Sequence, residues 1–144
     1  MNLIIKYPYI IAIIYLWIGF ICAISFMEAW LKFRAPGVNI QIGLGIGRIV
    51  FGALNKMEWF FALLILIIFI LTKQPVLSIN NLFYYVVFSV LVIQTFWILP
   101  VLDERAELRI QGKTVENSFM HFYYVLFEFI KIIGLFIFSL KQYK

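Results

Sequence analysis

Four long apolar stretches separated by isolated charges set the plan of this chain. The first runs from about Pro8 to Trp30 and ends in LKFRAPG, where Lys32 and Arg34 mark the change of surroundings and Pro36-Gly37 stops the helix. The second is MEWFFALLILIIFILT, residues 57–72, bracketed by Lys56 and Lys73. The third spans about 78–102 and closes on WILPVLDERAELR, with Pro100 placed to kink its last turn. The fourth spans about 119–140 and ends in KQYK. Each stretch is close to the ~20 apolar residues that carry a helix across a bilayer. The expected fold is an all-α integral membrane protein, a single membrane domain over residues 1–144 with four transmembrane helices in a bundle.

Between the first two stretches lies PGVNIQIGLGIGRIVFGALNK, too apolar for an ordinary loop and too short to cross and return. It predicts an amphipathic interfacial segment over about 38–54, or else an N-terminal extension of the second crossing. The first 25 residues begin like a signal peptide. Their apolar run exceeds a usual h-region and lacks a small-x-small cleavage site before Glu28, so a retained first helix is expected.

Composition agrees with the pattern: 65% of residues are hydrophobic and 13% charged, with a mean hydropathy of +1.01, outside the range of soluble domains. The net charge of +5 comes from single Lys and Arg residues with no basic run, which argues against a nucleic-acid partner. Lys32, Arg34, Arg48, Lys56, Arg105, Arg109 and Lys113 flank the first and third connections, against Lys6, Lys73, Lys141 and Lys144 on the other side. The basic side is expected to be cytoplasmic, with both termini on the opposite face. One cysteine, Cys22, excludes an internal disulfide and a cysteine metal cluster.

The fourth stretch holds the main candidate chemistry. In HFYYVLFEFIK, at about 100° per residue, His121, Tyr124, Glu128 and Lys131 fall within about 80° of one another around the helix axis. Glu128 lies about 13 Å along the axis from Phe119 and about 18 Å from Leu140, too deep for its side chain to reach either end. An isolated charge in that position costs about 2.5–3.5 kcal/mol. Glu128 and Lys131, three residues apart, are expected to pair with each other or with Gln94, Thr95, Ser89, Tyr15 or Ser25. Glu28, Arg48, Glu58 and Asp103 are expected at one charged mouth, with Glu104, Glu116 and His121 nearby.

Other motifs have simpler readings. Gly43-x-x-x-Gly47 in GLGIG is not a nucleotide loop, since no strand precedes it and no Walker lysine follows; it allows close helix approach or marks a flexible turn. Glu28 and Lys32 suit an i,i+4 ion pair. In DERAELR, Asp103 and Glu104 lie close to Arg105, while Glu107 pairs poorly by spacing. A single histidine cannot supply bis-His haem ligation or a zinc hydrolase site, and no nucleophile–base pair is recognisable. No metal, cofactor or enzymatic activity is therefore expected.

LWIGFICAISF in the first crossing, the glycine segment leading to ALNKMEW, the ILPVLDERAELR exit of the third crossing and FMHFYY opening the fourth carry a family resemblance. Together these motifs resemble an uncharacterised family of small four-helix membrane proteins (DUF4149-like) that includes human transmembrane protein 205 and many bacterial relatives. The resemblance covers residues 13–138 and implies that His121, Trp17, Gly19 and Pro100 occupy recurring positions; it names no catalytic residue. It implies a multi-pass protein of a bacterial inner membrane.

Two functional readings follow. One is a transporter-like or channel-like protein handling protons, cations or a small polar solute along the polar face of the fourth helix, with His121 and Tyr124 leading to Glu128 and Lys131. The other is a non-catalytic scaffold or subunit of a larger membrane complex, in which that pair sets helix packing. The expected partners are the lipid bilayer and either a second copy or another membrane subunit.

Overall fold

The computed structural model describes residues 7–73, 75 and 78–143. Four helices are long and apolar enough to cross a membrane: α1 (Pro8–Arg34), α2 (Ile40–Leu71), α3 (Ile79–Ile110) and α4 (Met120–Leu140). No strand occurs among the described residues. Lys6 and Lys144, which enter the charge count, lie outside them.

Local signals explain where the helices begin and end. Pro8 starts α1 where an amide donor is not needed. Asn39 caps α2, its side-chain oxygen accepting from the Ile42 amide at 2.9 Å. At the end of α3, Gly112 takes φ +77°, so that the Gly112 and Lys113 amides bond back to the Arg109 and Leu108 carbonyls, each at 3.0 Å.

The second helix differs from the expected plan. Residues 40–71 form one continuous helix of 32 residues, so the proposed interfacial segment over 38–54 is mainly the first half of α2, the extension that the sequence left open. Lys56 lies within this helix and does not mark its start. Helices α2 and α3, each of 32 residues, are about 48 Å long at ~1.5 Å per residue, well beyond a ~30 Å hydrocarbon core.

Each helix packs on its sequence neighbours and α4 closes back on α1, giving an antiparallel bundle with the most extensive contact between α3 and α4. Gly134 permits that contact, because a Cβ there would lie 2.7 Å from the Val87 side chain. One half of the interior is apolar. Ile10, Ile14, Ile65, Phe69, Tyr84, Leu135 and Phe138 fill it, with Phe69, Tyr84 and Phe138 in edge or tilted ring contacts at 5.4–6.1 Å. Outward faces remain apolar, as at Leu16, Ile67, Ile70, Phe96, Phe129 and Ile133, which suits surroundings of lipid.

Two helices widen as they pass the other half. Cys22–Glu28 in α1 and Gln94–Ile98 in α3 are π-helical, with the Ala29 amide bonded to Ile24 and the Leu99 amide to Gln94. In α3 this winding comes just before Pro100, which has no amide to continue the ordinary ladder. Each widened turn contains one buried polar residue, Ser25 or Gln94.

Candidate functional site

All four helices contribute a side chain to one buried polar cluster. Lys131 of α4 reaches across the bundle to Glu58 of α2 and also pairs with Glu128 at 3.1 Å. Trp17 of α1 donates its indole N–H to Glu58 Oε1 at 3.0 Å. Gln94 of α3 donates Nε2–H to Glu128 Oε1 at 3.0 Å. Glu128 and Lys131 are fully buried, and Glu58, Gln94 and Trp17 are no more than 2% exposed.

Helical spacing produces this convergence. Tyr124, Glu128 and Lys131 share the inward stripe of α4, as expected from the sequence, and all are buried. Glu58 was expected at the mouth and is instead in the core. Because α2 begins at Ile40, Glu58 stands 18 residues inside it, about 27 Å along the axis. Its partner is the same lysine that pairs with Glu128.

Toward the charged end the cluster adjoins a cavity of about 840 Å³. Asn55, Thr95 and Tyr124, each within about one turn of a cluster residue, form its polar inner end together with Ser25, which interacts with Tyr124. Phe26, Trp30, Phe33, Phe51, Leu99 and Pro100 supply apolar walls. Lys32, Arg48, Asp103 and His121 lie toward the helix ends and make its charged rim, and Lys56, midway along α2, lines the cavity as well. Tyr124 packs edge-on against Phe51 at 5.2 Å and interacts electrostatically with both Ser25 and Glu128, linking chamber to cluster.

Several fixed contacts shape the chamber. Arg48 forks onto Asp103, with Nε–Oδ1 2.6 Å and Nη2–Oδ2 2.9 Å, and its other nitrogen bonds Glu107. Thus Glu107, unsuited to pairing within its own helix, pairs across helices, because Asp103 and Glu107 are four residues apart and share a face. Thr95 Oγ1 accepts from Asn55 and Trp59, both at 2.9 Å, and tethers α2 to α3 beside Gln94. At the end of α1, the Phe33 ring covers Gly43 and Lys32 Nζ lies over Gly47. The glycine pair therefore lies within α2 and makes room for the side chains at the end of α1. Lys32 also pairs with Glu28 at 3.3 Å, as its spacing predicts.

The remaining expected residues are distributed as follows. His121 is exposed at the rim, above Tyr124 on the same stripe. Glu28 stands beside the rim through Lys32, and Arg105 bonds the Glu116 carbonyl. Of the expected partners of Glu128 and Lys131, Gln94 bonds Glu128; Thr95 belongs to the α2–α3 tether, Ser89 bonds the Tyr85 carbonyl, and Tyr15 meets Ser139 at 3.4 Å. Trp17 and Glu58 were the partners missed; Trp17 reads in sequence as another membrane aromatic. No group of three His, Cys, Asp or Glu among the described residues is placed to hold a metal ion.

Three buried oxygen atoms in this region have no hydrogen-bond partner: Ser25 Oγ, Gln94 Oε1 and Glu128 Oε2. They come from the two π-helical turns and from the central carboxyl group. No family model, curated protein or solved structure matches this chain, so the family resemblance rests on the quoted motifs alone.

Proposed function

We propose that this is a small multi-pass membrane protein of transporter-like design, whose chamber leads from the charged end to a proton- or cation-handling site at Glu58, Lys131 and Glu128. One observation carries this reading: two buried carboxyl groups share a single buried ammonium, one carboxyl oxygen has no partner, and Tyr124, which interacts with Glu128, lines an 840 Å³ cavity. A polar cluster that served packing alone would be satisfied internally, since each unpaired buried acceptor is destabilising. This one retains capacity for a further donor or cation. Its neighbours Tyr124 and Ser25 also line the chamber and form the path by which a charge would arrive. The packed aromatic half below it closes the other side, an arrangement suited to a carrier open to one face. The lysine and arginine count orients the open face to the cytoplasm.

The competing scaffold reading draws on the contribution of every helix to the cluster, as in a network that fixes bundle register. Reconstitution into liposomes separates the two. Under an imposed pH or cation gradient, the parent protein is expected to pass charge, and Glu128→Gln to abolish that flux while remaining folded. A parent without flux, together with a Glu128→Gln variant that merely loses stability, would support the scaffold.

A further inference from the structure

The buried charges do not balance when all are ionised. Glu58 from α2 and Glu128 from α4 bring two negative charges, and Lys131 brings one positive charge. The remaining titratable neighbour on α4 is the Tyr124 phenol; α1 presents Trp17 and Ser25, and α3 presents Gln94, none of which supplies a cation. A net negative charge would thus stand in an interior where uncompensated charge is strongly disfavoured.

The orphaned atoms locate the missing positive charge. Gln94 gives its amide hydrogens to Glu128 Oε1 at 3.0 Å and to the Tyr124 carbonyl at 3.5 Å, leaving Gln94 Oε1 without a donor. Glu128 Oε2 is likewise without one. While Glu128 is ionised both atoms are acceptors, so neither satisfies the other. Flipping the Gln94 amide would set its oxygen against Glu128 Oε1 and remove the existing bond. A hydrogen on Glu128 Oε2 makes the cluster neutral and turns that atom into a donor, with Gln94 Nε2 still donating to Glu128 Oε1 at 3.0 Å.

We propose that Glu128 carries one exchangeable proton as a carboxylic acid on Oε2, and that this proton is the cation handled by the site. The inference rests on the transporter-like reading for its use and names the ion that reading leaves open. Glu58 is left as the ionised partner: each carboxyl group receives two donors on Oε1, but Glu128 is the one with a buried oxygen that has no partner. A hard metal ion fits poorly: calcium takes about 6–8 oxygen ligands and magnesium near-octahedral geometry, whereas the unpartnered buried oxygens are Ser25 Oγ, Gln94 Oε1 and Glu128 Oε2. The Lys131 ammonium already occupies Oε1 of both carboxyl groups and repels another cation. On loading, an O–H bond breaks in a hydronium ion on the chamber side and one forms at Glu128 Oε2, leaving water. Release reverses this exchange, and nothing is oxidised or reduced.

Infrared difference spectroscopy of the full chain in lipid, recorded near neutral pH with exchange into heavy water, tests the assignment. The parent is expected to show the carbonyl stretch of a protonated carboxylic acid with a deuterium shift. Glu128→Gln should lose that band, Glu58→Gln, which leaves Lys131 opposite Glu128 alone, should lose it as well, and Gln94→Leu should move it to higher frequency as the hydrogen bond to the amide disappears. If Glu128→Gln does not fold, the Gln94→Leu shift still decides which carboxyl group carries the proton. An absent parent band, a band lost only in Glu58→Gln, an unmoved band in Gln94→Leu, or its removal by sodium at constant pH would each overturn the proposal. A persistent band without proton flux in liposomes would leave the proton assignment standing and remove the transport reading; flux without the band would do the reverse.

Discussion

Lys131 has an unusual position among the individual residues: a fully buried ammonium bonded to two carboxyl groups on different helices. Replacing it by Met keeps most of the side-chain length and removes the charge, leaving Glu58 and Glu128 near one another. Breaking a buried ion pair on one side costs about 3–5 kcal/mol, so Lys131→Met is expected to lower the unfolding midpoint in detergent markedly. Adding Glu58→Gln and Glu128→Gln to that variant should recover most of the loss, because three neutral groups of similar shape replace an unbalanced charge. If the triple variant is no more stable than Lys131→Met, the defect is one of shape. Trp17→Phe is a narrower change. It retains an aromatic ring near Phe61 while removing the N–H that reaches Glu58 at 3.0 Å. Since Glu58 keeps Lys131, a loss of about 1.5–3 kcal/mol is expected, measured by the same unfolding assay.

At the scale of the element, α2 provides its own control for the packing of the charged end. A Cβ at Gly43 would stand 2.1 Å from a Phe33 ring carbon, whereas at Gly45 nothing lies within 4 Å. Gly43→Ala should therefore displace the end of α1 and cost about 1–3 kcal/mol as overpacking. Gly45→Ala should stabilise the same helix by about 0.5–1 kcal/mol through helix propensity. Thermal unfolding of the two variants side by side checks both signs. The same helix shows which parts of the site were legible in the sequence. The stripe of Tyr124, Glu128 and Lys131 followed directly from helical periodicity, because no plausible start or end of α4 moves Glu128 far from its middle. Glu58 depended on the start of α2, and Lys56 beside it resembled an interfacial boundary. Asn39, with the side chain that caps Ile42, was the available signal for an earlier start. The inward turns at Ser25 and Gln94 were hidden for another reason. Their placement accompanies π winding, and a uniform 3.6-residue period cannot anticipate a local change in that period.

For the whole molecule, the two halves of the bundle predict unequal access. Ser25 lines the chamber and is 7% exposed, while Ile14 and Ala62 belong to the apolar core and are fully buried. Cys22 is exposed on the outer surface, so Cys22→Ser provides a background in which an introduced thiol is the only one. In that background, Ser25→Cys should react with a small, membrane-impermeant thiol reagent, whereas Ala62→Cys should resist it. The side of addition then tests orientation. If the basic connections face the cytoplasm, reagent outside intact cells should leave Ser25→Cys unmodified, while reagent applied to inverted vesicles should reach it through the rim of Lys32, Arg48 and His121. Neutralising the clasp with Arg48→Gln frees Asp103 and Glu107 from their common partner and should quicken labelling from that same side without opening the other, because the Phe69–Tyr84–Phe138 packing is untouched. Labelling of Ser25→Cys from both sides in the parent background would instead require a continuous path through the aromatic half, and the one-sided carrier design would give way to a channel.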